Sequence, residues 1–347
     1  MAEPQTVVEP PPAATIFLVL TVAPDAEDAV REVLAGVGGL RRSVGFRIPA
    51  ARLTCIVGIG SALWDRLYGD PRPAELHPLP EFRGPVHAAP STPGDLFFHI
   101  RAERMDLCFE LAQRLTEALG TAATVVDEVH GFRSFDERDL LGFVDGTENP
   151  EGEGAVEAVT VGDGDPAFAG SSYVLVQKYV HDLAAWDALS VEEQEAAIGR
   201  TKLANLEFAD DEKAPDAHIA LNVIEDASGE EVDVLRFNMP FGAVGTREFG
   251  TYYNAYASSP WVLEQMLANM FLGTAAATHD RILDFSTAVT GGLFFVPTVD
   301  LLEDPPNPGE ADAGAGADPD PAADVPDAPA EPDGSLGIGG LRRREAQ

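Results

Sequence analysis

What most limits the folds open to this chain is a rhythm of short, β-rich apolar runs separated by helical patterns, stated twice. Thr15–Val22 is the first run, mostly apolar and β-branched and too short for an ordinary helix, so it reads as a buried strand. Asp25–Ala35 follows with apolar residues at Ala29, Val30, Val33 and Leu34, the spacing of one helix face. Ala51–Gly60 reads as a second strand leading into a helix around Ser61–Tyr68, and Leu76–Ala89, punctuated by Pro and Gly, as a long connection. Asp95–Arg101 is a third strand, Met105–Leu119 a patterned helix and Thr124–Phe132 a fourth strand. The second half repeats this with strands at Ser172–Val180, Val234–Met239 and Gly250–Ala257 and helical stretches at Leu183–Ala188, Val191–Ile198 and Pro260–Phe271. Leu283–Thr290 and Gly292–Pro297 finish the pattern. Strands are not each followed by a crossover helix, which favours an α+β fold over a doubly wound parallel sheet. No residue-level repeat links the two halves.

Composition bounds the rest. A chain of 347 residues, 45% hydrophobic, can hold two domains or one double-sized unit. A net charge of −35 excludes a nucleic-acid partner, because phosphates would be repelled. Glu303–Gln347 holds eleven acids and three arginines, a net of −8, so residues 1–302 carry −27 and the body is acidic in its own right. Cys55 and Cys108 stand far apart with no Cys-x-x-Cys, which argues against a disulfide scaffold and against covalent haem attachment. Residues 1–13 contain four prolines and read as a disordered arm. The apolar run Ala14–Ala23 is too short to span a bilayer and lacks a basic lead-in, so a cytoplasmic, non-membrane protein is expected. Residues 303–333, rich in Ala, Pro, Asp, Gly and Glu, read as a disordered linker. Residues 334–347 break that composition, with Leu336, Ile338 and Leu341 spaced by glycines ahead of three arginines.

One loop carries the chemistry. Leu141–Pro150 reads Leu-Gly-Phe-Val-Asp-Gly-Thr-Glu-Asn-Pro. Gly142 and Gly146 allow backbone geometry closed to other residues and leave room for a flat, bulky group, while Pro150 keeps Asn149 out of the helical region. From the residues alone, Asp145 is either a carboxylate against an apolar wall or a solvated aspartate in a tight turn.

This loop closely resembles the signature of the dye-decolourising peroxidases, a family of haem enzymes with an axial histidine and a distal arginine in the second half of the chain. His218, in Asp216-Ala-His-Ile-Ala-Leu221, and Arg236, in Val234-Leu-Arg-Phe-Asn-Met-Pro-Phe241, match those features in order. The resemblance covers roughly residues 15–300. It implies two tandem ferredoxin-like units in a dimeric α/β-barrel-like arrangement, with antiparallel sheets and peripheral helices: residues 14–140, then a haem-binding unit at 141–302. It also implies haem b, hydrogen peroxide and a reducing co-substrate such as a dye or phenol, with the haem oxidised by two electrons and restored in two single steps.

Among seven histidines, only His218 matches the axial position; otherwise it is a structural histidine. Asp280, with Asp284 second, is expected to accept the other imidazole N–H, though a surface ion pair would serve either residue as well. As a general base Asp145 would stay ionised in acid, given an ordinary pKa of about 3.9. Arg236 would stabilise charge on the departing oxygen, and Asn238, two residues along a strand, would share its face and order a water. Arg200 is a candidate partner of a haem propionate, or simply helix-end chemistry, and Gly146 and Thr147 complete the expected cofactor contacts. Trp64, Trp186 and Trp261 fit core packing better than electron relay.

The last segment resembles the peptide by which cargo enzymes enter encapsulin shells, with Leu336, Ile338 and Leu341 as anchors. The resemblance implies a homo-oligomeric enzyme in the cytoplasm, inside an encapsulin compartment. Rival readings are a haem-handling or chlorite-dismutase-like relative and a non-catalytic binding module. The trio Asp145, Arg236 and Asn238 favours the peroxidase, since carrying haem requires no acid–base pair.

Overall fold

The computed structural model describes residues 3–10 and 12–305. Its first half runs β1 (Ala14–Val22), α1 (Glu27–Gly45), β2 (Thr54–Gly60), α2 (Ser61–Leu67), a small hairpin of β3 (Phe82–Arg83) and β4 (Ala88–Ala89), β5 (Leu96–Ala102), α3 (Met105–Leu119) and β6 (Ala123–Phe132). The second half runs α4 (Gly152–Val159), β7 (Ser172–His181), α5 (Leu183–Asp187), α6 (Val191–Ile198), α7 (His218–Asn222), β8 (Leu235–Arg236), β9 (Met239–Ala243) and β10 (Glu248–Ala257). It ends with α8 (Pro260–Leu267), β11 (Ser286–Ala288), β12 (Gly292–Val296) and α9 (Val299–Glu303).

All pairings are antiparallel, and the main sheet is ordered β6-β1-β5-β2-β12-β7-β10-β8, with β9 on β10 and β11 on β7. Within each half the four strand positions follow one arrangement: last, first, third, second. Both halves therefore have the ferredoxin-like order, although no sequence repeat announces it. β2 and β12 join them through only two residue pairs, Gly60 with Phe294 and Ile59 with Phe295.

The apolar runs are nearly continuous because both sheet faces are buried. Ile16, Leu18 and Leu20 point into a layer shared with Val30 and Leu34 of α1 and Leu111 and Leu115 of α3. Phe17 and Val19, on the opposite face, enter a second layer with Phe97, Tyr252 and Phe294, in which strands of the two halves meet. The rings of Phe17 and Tyr252 stack there at 4.1 Å between centroids. Each such side chain contributes about 1.5–3 kcal/mol by leaving water.

Several expected boundaries shift for local reasons. The expected strand at 51–60 starts at Thr54, because Pro49–Ala51 forms a 3-10 turn closed by Arg52 in the left-handed region. The helix expected over 260–271 changes to a π turn at Ala268–Leu272, and the connection at 76–89 contains the β3–β4 hairpin. The strand expected at Val234–Met239 is broken into β8 and β9. Phe237 N donates to Asn254 O, but Asn254 N donates to the side-chain Oδ1 of Asn238, so a side chain replaces a backbone rung. Pro240, which has no N–H, follows at once.

The arm at 1–13 is a correction to the sequence reading, within its described part. Gln5 and Val7 are buried. Gln5 Nε2 donates to Val57 O and Pro297 O at 3.0 and 2.8 Å, while its Oε1 accepts Val57 N at 2.8 Å. The buried Arg101 guanidinium donates to the carbonyls of Thr6 and Glu9. Prolines remove backbone donors, and side-chain hydrogen bonds take over the docking. No helix among the described residues is long and apolar enough to cross a membrane. Most of the expected linker at 303–333 and all of the segment 334–347, with Leu336, Ile338 and Leu341, lie outside the described residues.

Candidate active site

The signature loop leaves β6 through Arg133–Leu140 and folds around Asp139. Asp139 Oδ1 accepts Phe143 N at 2.9 Å, and the backbones of Asp139 and Phe143 exchange a further bond of 2.8 Å. Gly142 and Gly146 adopt φ of 93° and 75°, as the turn requires. The room expected beside Gly142 is taken by this chain: a Cβ there would lie 2.5 Å from Cε of Lys202. Leu141 and Phe143 turn inward onto Trp186, Ala197 and Ile198, and Trp186 Nε1 donates to Leu141 O at 2.9 Å. That anchoring leaves Asp145 facing a cavity.

Asn149 clamps the loop to the second half. Its Nδ2 donates to Arg236 O at 2.7 Å and its Oδ1 accepts Arg236 N at 2.9 Å, which fixes both backbone groups of that residue. Asn238 Nδ2 donates to Asp145 Oδ1 at 3.2 Å. Asp145, Arg236 and Asn238 thus line one cavity, even though the strand expected to align the last two is broken. The Arg236 guanidinium makes no ion pair within 4 Å among the described residues.

Electrostatics modify the expectation for Asp145. Its pKa is raised rather than ordinary: loss of solvent dominates, opposed by the Arg236 charge and the Asn238 hydrogen bond. Asp139, on the same cavity wall, is pushed up to about 7 by burial and by the neighbouring Asp145 charge.

Opposing features come from α7. His218 opens this helix, and its Nδ1 lies 2.6 Å from Asp280 Oδ2. Asn222, one turn later, donates to His218 O at 2.7 Å. Asp280 is fully buried; its Oδ1 accepts Ile282 N at 3.0 Å, and its own N–H donates to Met270 O. Asp284 turns away to His87 and His279, so between the two candidate partners of His218 the contact belongs to Asp280. With Nδ1 engaged, His218 presents Nε2 to the cavity.

Arg200 is 5% exposed, and its terminal nitrogens bond Thr147, Asn205, Glu148 and Glu207. Its Nε is buried with no partner among the described residues. The cavity encloses about 1160 Å³ of space between atoms, part of it open to solvent, and Ile198, Ile219, Met266, Leu267 and Ile282 make its walls largely apolar. An imidazole nitrogen, an orphaned guanidinium donor and apolar walls fit a flat macrocycle that carries a metal and acidic side chains.

The structure brings together Asp145, Gly146, Thr147, Arg200, His218, Arg236 and Asn238, with Asp280 behind His218. The sequence reading missed Asp139, Asn149 and Asn222. The Asn149-Pro150 pair was a signal for the second, since a loop-ending asparagine has free amide groups; the other two gave none.

The chain is similar to known proteins over both of its halves. Two family models match, the Dyp-type peroxidase N-terminal model over residues 4–133 and the C-terminal model over residues 136–301. A dye-decolorizing peroxidase of Rhodococcus erythropolis is 58% identical over 346 residues, covering 100% of this chain and 99% of that one. That of Mycobacterium tuberculosis is 56% identical over 339 residues, covering 98% and 97%. The cryo-EM structure of the encapsulated DyP-type peroxidase from Mycobacterium smegmatis superposes with a TM-score of 0.87 at 59% identity, covering 88% of this chain and 99% of that one. A Rhodococcus jostii DypB variant in complex with heme gives 0.85 at 56%, covering 86% and 97%. Alike in both halves of its sequence and in its fold, the chain belongs to the Dyp-type peroxidase family.

Proposed function

We propose that this enzyme binds haem b through His218 Nε2 and uses Asp145, Arg236 and Asn238 to reduce hydrogen peroxide at the expense of an aromatic or phenolic reductant. The observation that carries this reading is the shared cavity: the His218–Asp280 pair and the trio around Asp145 line the same space. Bound haem supplies the iron at which the peroxide bond breaks. Asp280 holds the Nδ1 proton of His218 and makes Nε2 a stronger donor. Asp145 accepts a proton from the inner peroxide oxygen and passes it to the outer one. Arg236 offsets the negative charge that develops on the departing oxygen, and Asn238 holds Asp145 Oδ1 in place. Arg200 Nε, with Thr147 and Gly146 beside it, suits an acidic edge of the cofactor. The heme-bound R. jostii variants support the choice of cofactor.

The experiment is a Soret band in the purified protein followed by stopped-flow mixing with peroxide. Asp145→Ala and Arg236→Leu should each slow the first spectral change by about 10²–10³ with haem still bound. Rates equal to wild type in both variants would remove the trio from the mechanism.

We further propose that residues 14–140 and 141–302 are the two structural units, a division supported by their matching strand orders. We also infer packaging in an encapsulin shell, as a homo-oligomer in the cytoplasm, with Leu336, Ile338 and Leu341 as anchors; the encapsulated M. smegmatis relative supports the encapsulin association. Deleting residues 334–347 should abolish co-assembly with a coexpressed shell and leave haem content unchanged; a truncated enzyme that is still packaged refutes the assignment.

A further inference from the structure

We propose that His87, His279 and Asp284 form a binding site for a divalent transition-metal ion of the Zn²⁺ or Cu²⁺ class, outside the haem cavity. Both imidazole Nε2 atoms lie 3.0 Å from a single oxygen, Asp284 Oδ1. The three donor atoms all fall within 4.8 Å of one another. A tetrahedral ion with bonds of about 2.0–2.1 Å holds its ligands about 3.3 Å apart, so small side-chain rotations admit one. Two imidazoles and one carboxylate suit that class of ion better than Ca²⁺ or Mg²⁺, which take oxygen ligands. The Asp284 side chain is 44% exposed, so water can enter and fill the remaining positions.

The three donors are delivered by two braced pieces of chain. His87 sits in the β3–β4 turn, where Gly84 N donates to His87 O at 2.9 Å. That turn is seated on the π segment after α8, so closely that a Cβ on Gly84 would lie 1.7 Å from Phe271 O. His279 follows the tight loop at Gly273, where φ is 81°, and its Nδ1 lies 3.2 Å from Thr278 Oγ1, a contact that steadies the ring. Asp284 ends the 3-10 turn Arg281–Asp284. An ion here ties a hairpin of the first half to the segment carrying Asp280, one residue after His279.

The test uses tag-free holoenzyme. Equilibrium dialysis against Zn²⁺ should find one more bound equivalent in wild type than in His87→Gln, or binding at least about 10–100-fold tighter. Cu²⁺ added to wild type should give an EPR signal split by two nitrogens, reduced to one in His87→Gln, with Asp284→Ser as a second variant of reduced affinity. Equal Zn²⁺ stoichiometry and affinity in wild type and variants, or a Cu²⁺ spectrum with no nitrogen splitting, would overturn the site and leave the cluster as an ion pair between two histidines and an aspartate. His87 and Asp284 are outside the haem cavity, so failure here leaves the peroxidase assignment standing.

Discussion

Replacing Asp280 by Asn isolates what one buried charge does for the iron. In wild type the carboxylate serves three donors, His218 Nδ1 and the more distant Asn222 Nδ2 through Oδ2 and Ile282 N through Oδ1. An amide has one oxygen, so Asp280→Asn leaves one of those donors facing an NH₂ group in a fully buried place. The resulting loss of stability is about 1–3 kcal/mol. If the amide oxygen keeps His218, the imidazole loses a charge-assisted bond worth about 1.5–3 kcal/mol and gains a neutral one worth about 0.5–1.5. The difference, about 1–1.5 kcal/mol, weighs on the more positive iron state. At about 1.36 kcal/mol and 59 mV per factor of ten, the ferric–ferrous potential should rise by about 40–65 mV. Spectroelectrochemical titration followed at the Soret band measures it directly. An unchanged or lowered potential in a variant that still binds haem would show that Asp280 only shapes the loop and does not tune the ligand.

His218→Ala should bind little or no haem while keeping its far-UV circular dichroism; a Soret band of wild-type position and intensity would exclude His218 as the ligand. Asn149→Ala removes both bonds to the Arg236 backbone and should lower stability by about 1–3 kcal/mol, read by urea unfolding. It should also slow the reaction with peroxide by up to about 10², since small displacements at a reacting centre are costly; full activity would mean the clamp is structural alone. Asp139 keeps its proton to about pH 7 when folded, against about pH 4 unfolded, so the folded state binds more protons between those values and stability falls there as pH rises. Asp139→Asn should therefore gain on wild type from pH 4 to 7 and hold a constant advantage above it, as measured by urea unfolding across that range; a difference independent of pH would refute the shift.

How far the sequence could be read depended on how local each cause was. Met105–Leu119 and Val191–Ile198 were legible to the residue because their apolar faces repeat within the segment itself. His218 and Arg236 were singled out through the family's motifs, which carry spatial information that spacing lacks, whereas Asn238 came from strand alternation and Asp280 from the habit of imidazole ligands to engage a carboxylate. Asp139 was not: its raised pKa depends on burial and on Asp145, and nothing in Asp-Glu-Arg-Asp-Leu signals either. The break between β8 and β9 was hidden for a similar reason, because the rung lost at Asn238 is taken by a side chain bonded to Asn254, sixteen positions on. Prolines misled most at the N-terminus, where they imply disorder, while Gln5 finds its partners at Val57 and Pro297.

That glutamine also sets a timetable. It precedes every strand of the sheet, yet one of its two carbonyl partners lies at position 297, just after β12. Until β12 has been synthesised, Gln5 has only Val57 to hold, Arg101 alone grips Thr6 and Glu9, and the seam between the halves stays open. The first half can assemble its own four strands while the rest is still being translated, since its pairings are internal. Closure of the seam must wait for almost the whole body, a separation in sequence of 292 residues. Contacts that distant form slowly, so a fastener synthesised ahead of the sheet is among the last to close.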